Sequence, residues 1–194
     1  NTRYSGEYIS FGTGENNLYR IVSHETKGLT KITSAEPLKE NGIFKTSIFG
    51  DSVYYSSTNT IGSFLNGEYL TNGNYLTSEQ VNMIEDNTTW YLGTVSNGTN
   101  YRLAKYIDTN MSSLTPNVTT SKVGLLRIGE LMGGQYNDNN NNIAYTYLTP
   151  ITNTSIWHII KQGQAYGYSY TLKDGIKPAL NLKSNVIITG GDGT

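Results

Sequence analysis

The sequence predicts an α+β domain of short strands, two or three short helices and long loops. Three observations carry this. Apolar and aromatic residues come in short runs bounded by Gly, Asn and Thr, as in Leu18-Tyr19-Arg20-Ile21-Val22-Ser23-His24 and Tyr147-Leu148-Thr149-Pro150. Helix-start signals stand at few places, the clearest being Thr77-Ser78-Glu79-Gln80. The chain has 194 residues, 36% hydrophobic and 15% charged, which supplies a core and too little charge for a disordered chain. Residues 1–194 fit a single domain.

Taken in order, Tyr8-Ile9-Ser10-Phe11 and Leu18 to His24 read as strands separated by a Gly/Asn turn, and Leu29 to Thr33 as a third strand of an opening meander. Leu29 and Ile32 break strict alternation. His24 reads as an exposed polar residue at a strand end. Glu36 to Thr60 has no clean period, with Val53-Tyr54-Tyr55 as its one candidate strand. Ile61 to Leu70 reads as a short helix weakened by Gly67, and Leu76 to Ile84 as a helix with a Thr77/Gln80 capping box and a Leu76–Val81 staple. Trp90 and Tyr91 favour a core strand over sugar stacking. Tyr101 to Tyr106 reads equally as strand or helix turn, and Asn110 to Ser121 as polar loop. Lys122 to Leu126 reads as a buried strand, and Ile128 to Met132 as a helix stopped at Gly133-Gly134.

Charge and composition exclude several function classes. The net charge of −1 supplies no basic field for nucleic acid or anionic lipid. The cysteine count is zero, which removes thiol catalysis and zinc–thiolate sites. There is no apolar run of the roughly 18 residues a membrane span needs. Both ends read as cut from a longer protein. Two His residues and scattered carboxylates place no acid/base pair, and no serine-nucleophile motif is present.

Calcium is the one cofactor the sequence invites. Asp138, Asn140 and Asn142 have the spacing that opens an EF-hand loop, but Ile143 stands where Gly is needed and Thr149 where the bidentate Glu belongs. A solvated Asn-rich loop over Gln135 to Asn142 is the favoured reading. Asp192, in Gly190-Gly191-Asp192-Gly193, offers a single carboxylate and reads as a turn. The expectation is no cofactor, with Asp138 and Asp192 as weak metal candidates.

The blocks Leu18 to Val22, Ser63 to Tyr69, Leu76 to Ile84, Val123 to Leu126, Tyr147 to Pro150 and Ile176 to Ser184, in that order and spacing, resemble those of a family of Gram-positive secreted and surface proteins of the C-type-lectin-like, formylglycine-generating-enzyme-like class. Leu18-Tyr19-Arg20-Ile21-Val22 looks like its opening strand, and Ser63-Phe64-Leu65-Asn66-Gly67-Glu68-Tyr69 like its "LNGEFY" helix. Val123-Gly124-Leu125-Leu126 looks like its mid-domain strand and Tyr147-Leu148-Thr149-Pro150 like its "WLRSP" strand. Ile176-Lys177-Pro178-Ala179-Leu180-Asn181-Leu182-Lys183-Ser184 looks like "VRPALWLKS". Thr149 and Lys177 stand where these motifs carry Arg. The resemblance implies a C-type-lectin-like fold with mixed, mostly antiparallel sheets and long loops. It does not carry sulfatase activation, whose cysteines are missing, nor the Glu-Pro-Asn and Trp-Asn-Asp strings of calcium-dependent lectins.

In that class the late irregular segments form the presenting face, here Gln135 to Asn142 and Asn153 to Tyr170. Trp157, His158, Lys161, Gln164, Tyr166 and Tyr168 are the candidate ligand-binding residues. Aromatic faces beside amides suit a sugar or a protein epitope. Trp157 and His158, in a polar loop, point to ligand contact or to a loop anchor. Tyr166, Tyr168 and Tyr170 alternate, which favours one face of a strand over ligand contact. The expected function is a non-enzymatic, extracellular recognition or adhesion module on a Gram-positive cell surface. It would bind a glycan or a host or neighbouring-cell protein, with no nucleic acid or membrane partner. The alternative is the globular head of a type IV pilin or pseudopilin, self-assembling into a filament; a hydrolase ranks third.

Overall fold

The computed structural model describes residues 3–96, 117–133, 143–161 and 163–190. The fold is mixed α+β with mostly antiparallel pairing. Strands β1 (Tyr8–Ser10), β2 (Leu18–His24) and β3 (Thr30–Ser34) form the meander. The late strand β14 (Ala179–Leu182) returns to pair antiparallel with β3, and its other edge takes β9 (Val123–Gly124). The first sheet therefore runs β1-β2-β3-β14-β9. Leu29 precedes β3 rather than belonging to it, so its spacing from Ile32 no longer breaks a period. The irregularity lies on β2 instead. Ile21 faces Ile32 while Ser23 faces Lys31, leaving Val22 as an extra, buried residue that bends the pair.

The second sheet is built from β10 (Tyr145–Pro150), β11 (Ser155–Ile159), β12 (Ala165–Ser169), β13 (Asp174–Gly175) and β6 (Thr46–Ser47), in the order β12-β11-β10-β13-β6. Only its β10–β13 pair is parallel. Two two-stranded antiparallel pairs complete the strands among the described residues: β4 (Lys39–Glu40) with β5 (Ile43–Phe44), and β7 (Thr88–Tyr91) with β8 (Val118–Ser121). The aperiodic stretch from Glu36 thus holds two-residue strands too short to show alternation. Val53 and Tyr55 are buried without joining a strand.

The helices follow their caps. The single helix expected over Ile61 to Leu70 is two, α1 (Thr60–Leu65) and α2 (Glu68–Thr71), broken at Gly67 with φ −123° and ψ −96°. Asn59 caps α1, accepting from the Gly62 amide at 2.9 Å. Helix α3 (Ser78–Asn82) has the expected capping box. The Gln80 amide donates to Thr77 Oγ1 at 3.1 Å, and the Thr77 amide to Gln80 Oε1 at 3.0 Å. Helix α4 (Ile128–Gly133) starts against β10, where the Ile128 amide donates to Thr149 Oγ1 at 2.9 Å. Thr149 thus serves the helix start, and buried Lys177 holds its ammonium 4.5 Å from the centroid of the Tyr145 ring.

Tyrosines dominate the core. Tyr19, Tyr55, Tyr69, Tyr75, Tyr145 and Tyr147 are fully buried beside Phe49, Ile32 and Leu65. The hydroxyls of Tyr19 and Tyr69 hydrogen-bond each other at 2.5 Å, and Tyr55 donates to the Val123 carbonyl at 2.5 Å. Trp90 is buried, as the strand reading expected, and its ring fills the space over Gly124. A Cβ at Gly124 would stand 2.5 Å from that ring, so only glycine allows the approach. No helix among the described residues is long and apolar enough to cross a membrane.

Candidate functional site

Asn153 to Tyr170, expected to be irregular, is instead an antiparallel hairpin of β11 and β12 with its register running from Ser155↔Ser169 to Ile159↔Ala165. The physical reason lies in β11: Ile156, Trp157, His158 and Ile159 are all buried, so the strand is interior on both faces and shows no alternation. The hairpin closes tightly. The Ile160 amide donates to the Gln164 carbonyl at 3.0 Å, and the Gly163 amide to the Ile160 carbonyl at 2.9 Å. Gly163 supplies φ +78°.

This placement separates the aromatic candidates into buried and exposed sets. Trp157 is 3% exposed and donates its indole N–H to the Val95 carbonyl at 2.9 Å. It anchors the segment after β7 and offers no face to solvent. His158 is 1% exposed. Tyr166 and Tyr168, by contrast, are 48% and 40% exposed on one face of β12, with exposed Gln164 and Lys161 at the hairpin end. Tyr166 donates its hydroxyl to Gln164 Oε1 at 3.1 Å, which fixes the amide beside the ring.

Beneath this face lies a buried ionisable pair. His158 Nδ1 hydrogen-bonds Asp174 Oδ2, and both residues are buried. The pairing holds the imidazole plane and leaves Nε2 buried without a hydrogen-bond partner among the described residues. The Tyr168 ring stands over the imidazole at 5.5 Å and 85°. The dyad lies directly beneath Tyr168 and packs against its ring. Asp174 was missed at the sequence level, since it lies in a two-residue strand brought to β11 only through β10.

A second polar cluster, also unpredicted, surrounds the start of α4. Arg127 donates from Nη1 to the Tyr91 carbonyl at 2.7 Å and from Nη2 to the Gly93 carbonyl at 2.8 Å. Glu130 accepts from the Arg127 amide at 3.1 Å and from Lys31 Nζ at 2.9 Å. Burial favours the neutral Lys31 amine, but the Glu130 and Glu25 carboxylates outweigh it and raise its pKa above the ordinary lysine value.

Asp138 and Asp192 lie outside the described residues, as do Gln135 to Asn142, Tyr101 to Tyr106 and the neighbouring Gln162. Among the described residues no three His, Asp or Glu side chains group as a metal site. His24 is exposed at the end of β2, where Nδ1 meets Thr30 Oγ1 at 3.2 Å. A groove of about 570 Å³ runs between β1 and residues 186–190 past Ile9, Leu18, Met83 and Ile187, and none of the predicted ligand residues lines it. No family model, curated protein or solved structure matches the chain.

Proposed function

We propose that this chain is a non-enzymatic recognition module of C-type-lectin-like fold, displayed outside a Gram-positive cell. It binds a glycan or protein through the β12 face of Tyr166, Tyr168, Gln164 and Lys161. The observation that carries this reading is the pair of exposed tyrosines two residues apart on one strand, with one ring fixed to Gln164 and the other seated on buried His158. Solvent-facing aromatic area held in place costs little entropy on binding, and an adjacent amide supplies directional hydrogen bonds. Support for the fold class comes from β14 returning to β3 beside the opening meander, with the second sheet built mainly from the late chain. Trp157 and His158 act by holding the hairpin.

The pilin-head alternative draws on a different feature of the same strand. β12 is the edge of its sheet, and its sequence Ala-Tyr-Gly-Tyr-Ser carries no charge or proline to discourage pairing. The Ile160–Gln164 hydrogen bond sets the alternation, so the backbone groups of Ala165 and Gly167 face away from β11. Assembly through this edge would use strand pairing. Glycan and matrix-protein arrays, run with calcium and with chelator, separate the readings: ligand binding supports recognition, and concentration-dependent filaments without ligand binding support assembly.

A further inference from the structure

Lys31 and Asn181 are register partners across β3 and β14. Their side chains leave the same face of the sheet, with Cβ atoms about 5 Å apart. Both meet β7: the Lys31 ammonium lies 5.6 Å from the centroid of the Trp90 ring, and Asn181 Nδ2 donates to Thr88 Oγ1 at 3.2 Å. The Glu130 carboxylate, 4% exposed, accepts from Lys31 Nζ at 2.9 Å. Asn181 Oδ1 is buried and has no hydrogen-bond partner among the described residues. A largely buried lysine and a carboxamide held by one N–H thus leave one sheet face as cross-strand neighbours, both against β7, with a buried carboxylate on the lysine. The second carboxylate near the lysine, Glu25 at 3.4 Å, is occupied by Ser23 Oγ at 2.6 Å.

We propose that Lys31 and Asn181 form an intramolecular isopeptide bond, with Glu130 as the proton relay. The step balances without any oxidant or cofactor. Lys31 Nζ passes one proton to Glu130 along their existing hydrogen bond, which turns a buried ion pair into a neutral amine and a neutral acid. The amine lone pair attacks Asn181 Cγ. Glu130 passes its proton to the carboxamide nitrogen, the Cγ–Nδ2 bond breaks, and ammonia leaves. Glu130 then takes the second amine proton as the new Cγ–Nζ amide forms. The ion pair holds Lys31 charged at rest, so the reaction waits on the first transfer; the cross-strand placement of the two residues and their low exposure favour it. The product would tie residue 31 to residue 181 in a chain that has no cysteine to make such a link.

Mass spectrometry of the purified full chain tests this. The wild type is expected to weigh one ammonia, about 17 Da, less than its sequence. Trypsin should then release residues 28–39 and 174–183 as one branched species, because an acylated Lys31 is no longer cleaved. Lys31→Met and Glu130→Gln should both weigh their full sequence mass. Wild type of full mass, with its near-UV spectrum showing a folded core, overturns the proposal. So does an ammonia loss that maps to one linear peptide, which marks a succinimide at an Asn-Gly step. Loss retained in Glu130→Gln overturns the relay. Should either variant fail to fold, the wild-type peptide map still decides.

Discussion

The Tyr168 ring stands edge-on to the His158 imidazole, 5.5 Å between centroids, and that imidazole is itself held by Asp174. An exposed ring therefore rests on a buried ionisable pair, and the two layers answer differently to substitution. His158→Ala strands the Asp174 carboxylate in the interior and is expected to cost about 3–5 kcal/mol. Tyr168→Ala, on a half-exposed side chain, should cost less than about 1 kcal/mol. Urea unfolding at neutral pH measures both. Equal losses would remove His158 from its supporting role.

Much of the fold was legible in local sequence, and the site was legible only in part. The meander, the α3 capping box and the return of Ala179 to Leu182 as a strand depend on neighbours within a few residues, where periodicity and caps speak directly. The hairpin was harder. β11 is buried on both faces, so Ile156-Trp157-His158-Ile159 shows no period and looked like loop. β12 does alternate, and the spacing of Tyr166 and Tyr168 puts them on one face of a strand. They lie on a strand but face solvent, because β12 is an edge. Nothing local in Asp174 or Glu130 announces a partner at His158 or Lys31, since those contacts exist only once the sheets form.

The tyrosine core predicts a steep alkaline limit. Burial pushes Tyr55 up to about 12 and lifts Tyr19 and Tyr69 further above their ordinary 10.0. Above pH 10 the unfolded chain releases phenolic protons that the folded chain retains. Stability from these groups is therefore complete below pH 10 and falls as pH rises, by about 1.4 kcal/mol per pH unit for each tyrosine. The double variant Tyr19→Phe/Tyr69→Phe removes both partners of one buried hydrogen bond, so it should be near wild type at pH 7. Its unfolding midpoint should fall more gently between about pH 10 and 12. Parallel slopes would refute this.

Close packing at Gly124 gives a sharper test of the first sheet. Gly124→Ala places a methyl 2.5 Å from the Trp90 indole, with backbone pairing to Ala179 on the other side. An expected loss of about 1–3 kcal/mol follows from overpacking. Trp90 fluorescence should shift in the same variant, since the ring must move. An unshifted spectrum at full stability would contradict the packing.

Helix α3 depends on its cap more than on burial, since none of its own residues is buried. Thr77→Ala should cost about 1 kcal/mol, and Thr77→Ser close to nothing. Comparing their urea midpoints checks the reciprocal Thr77–Gln80 bonds.

The central claim is that β12 presents the recognition face, and array binding of the wild type beside Tyr166→Ala/Tyr168→Ala tests it most directly. Ile43→Ala, on the exposed β4–β5 hairpin, serves as the control. The account predicts a defined glycan or protein ligand for the wild type and the control, and at least about a tenfold loss of affinity in the double tyrosine variant with its fold intact. A ligand bound equally well by the double variant would contradict it.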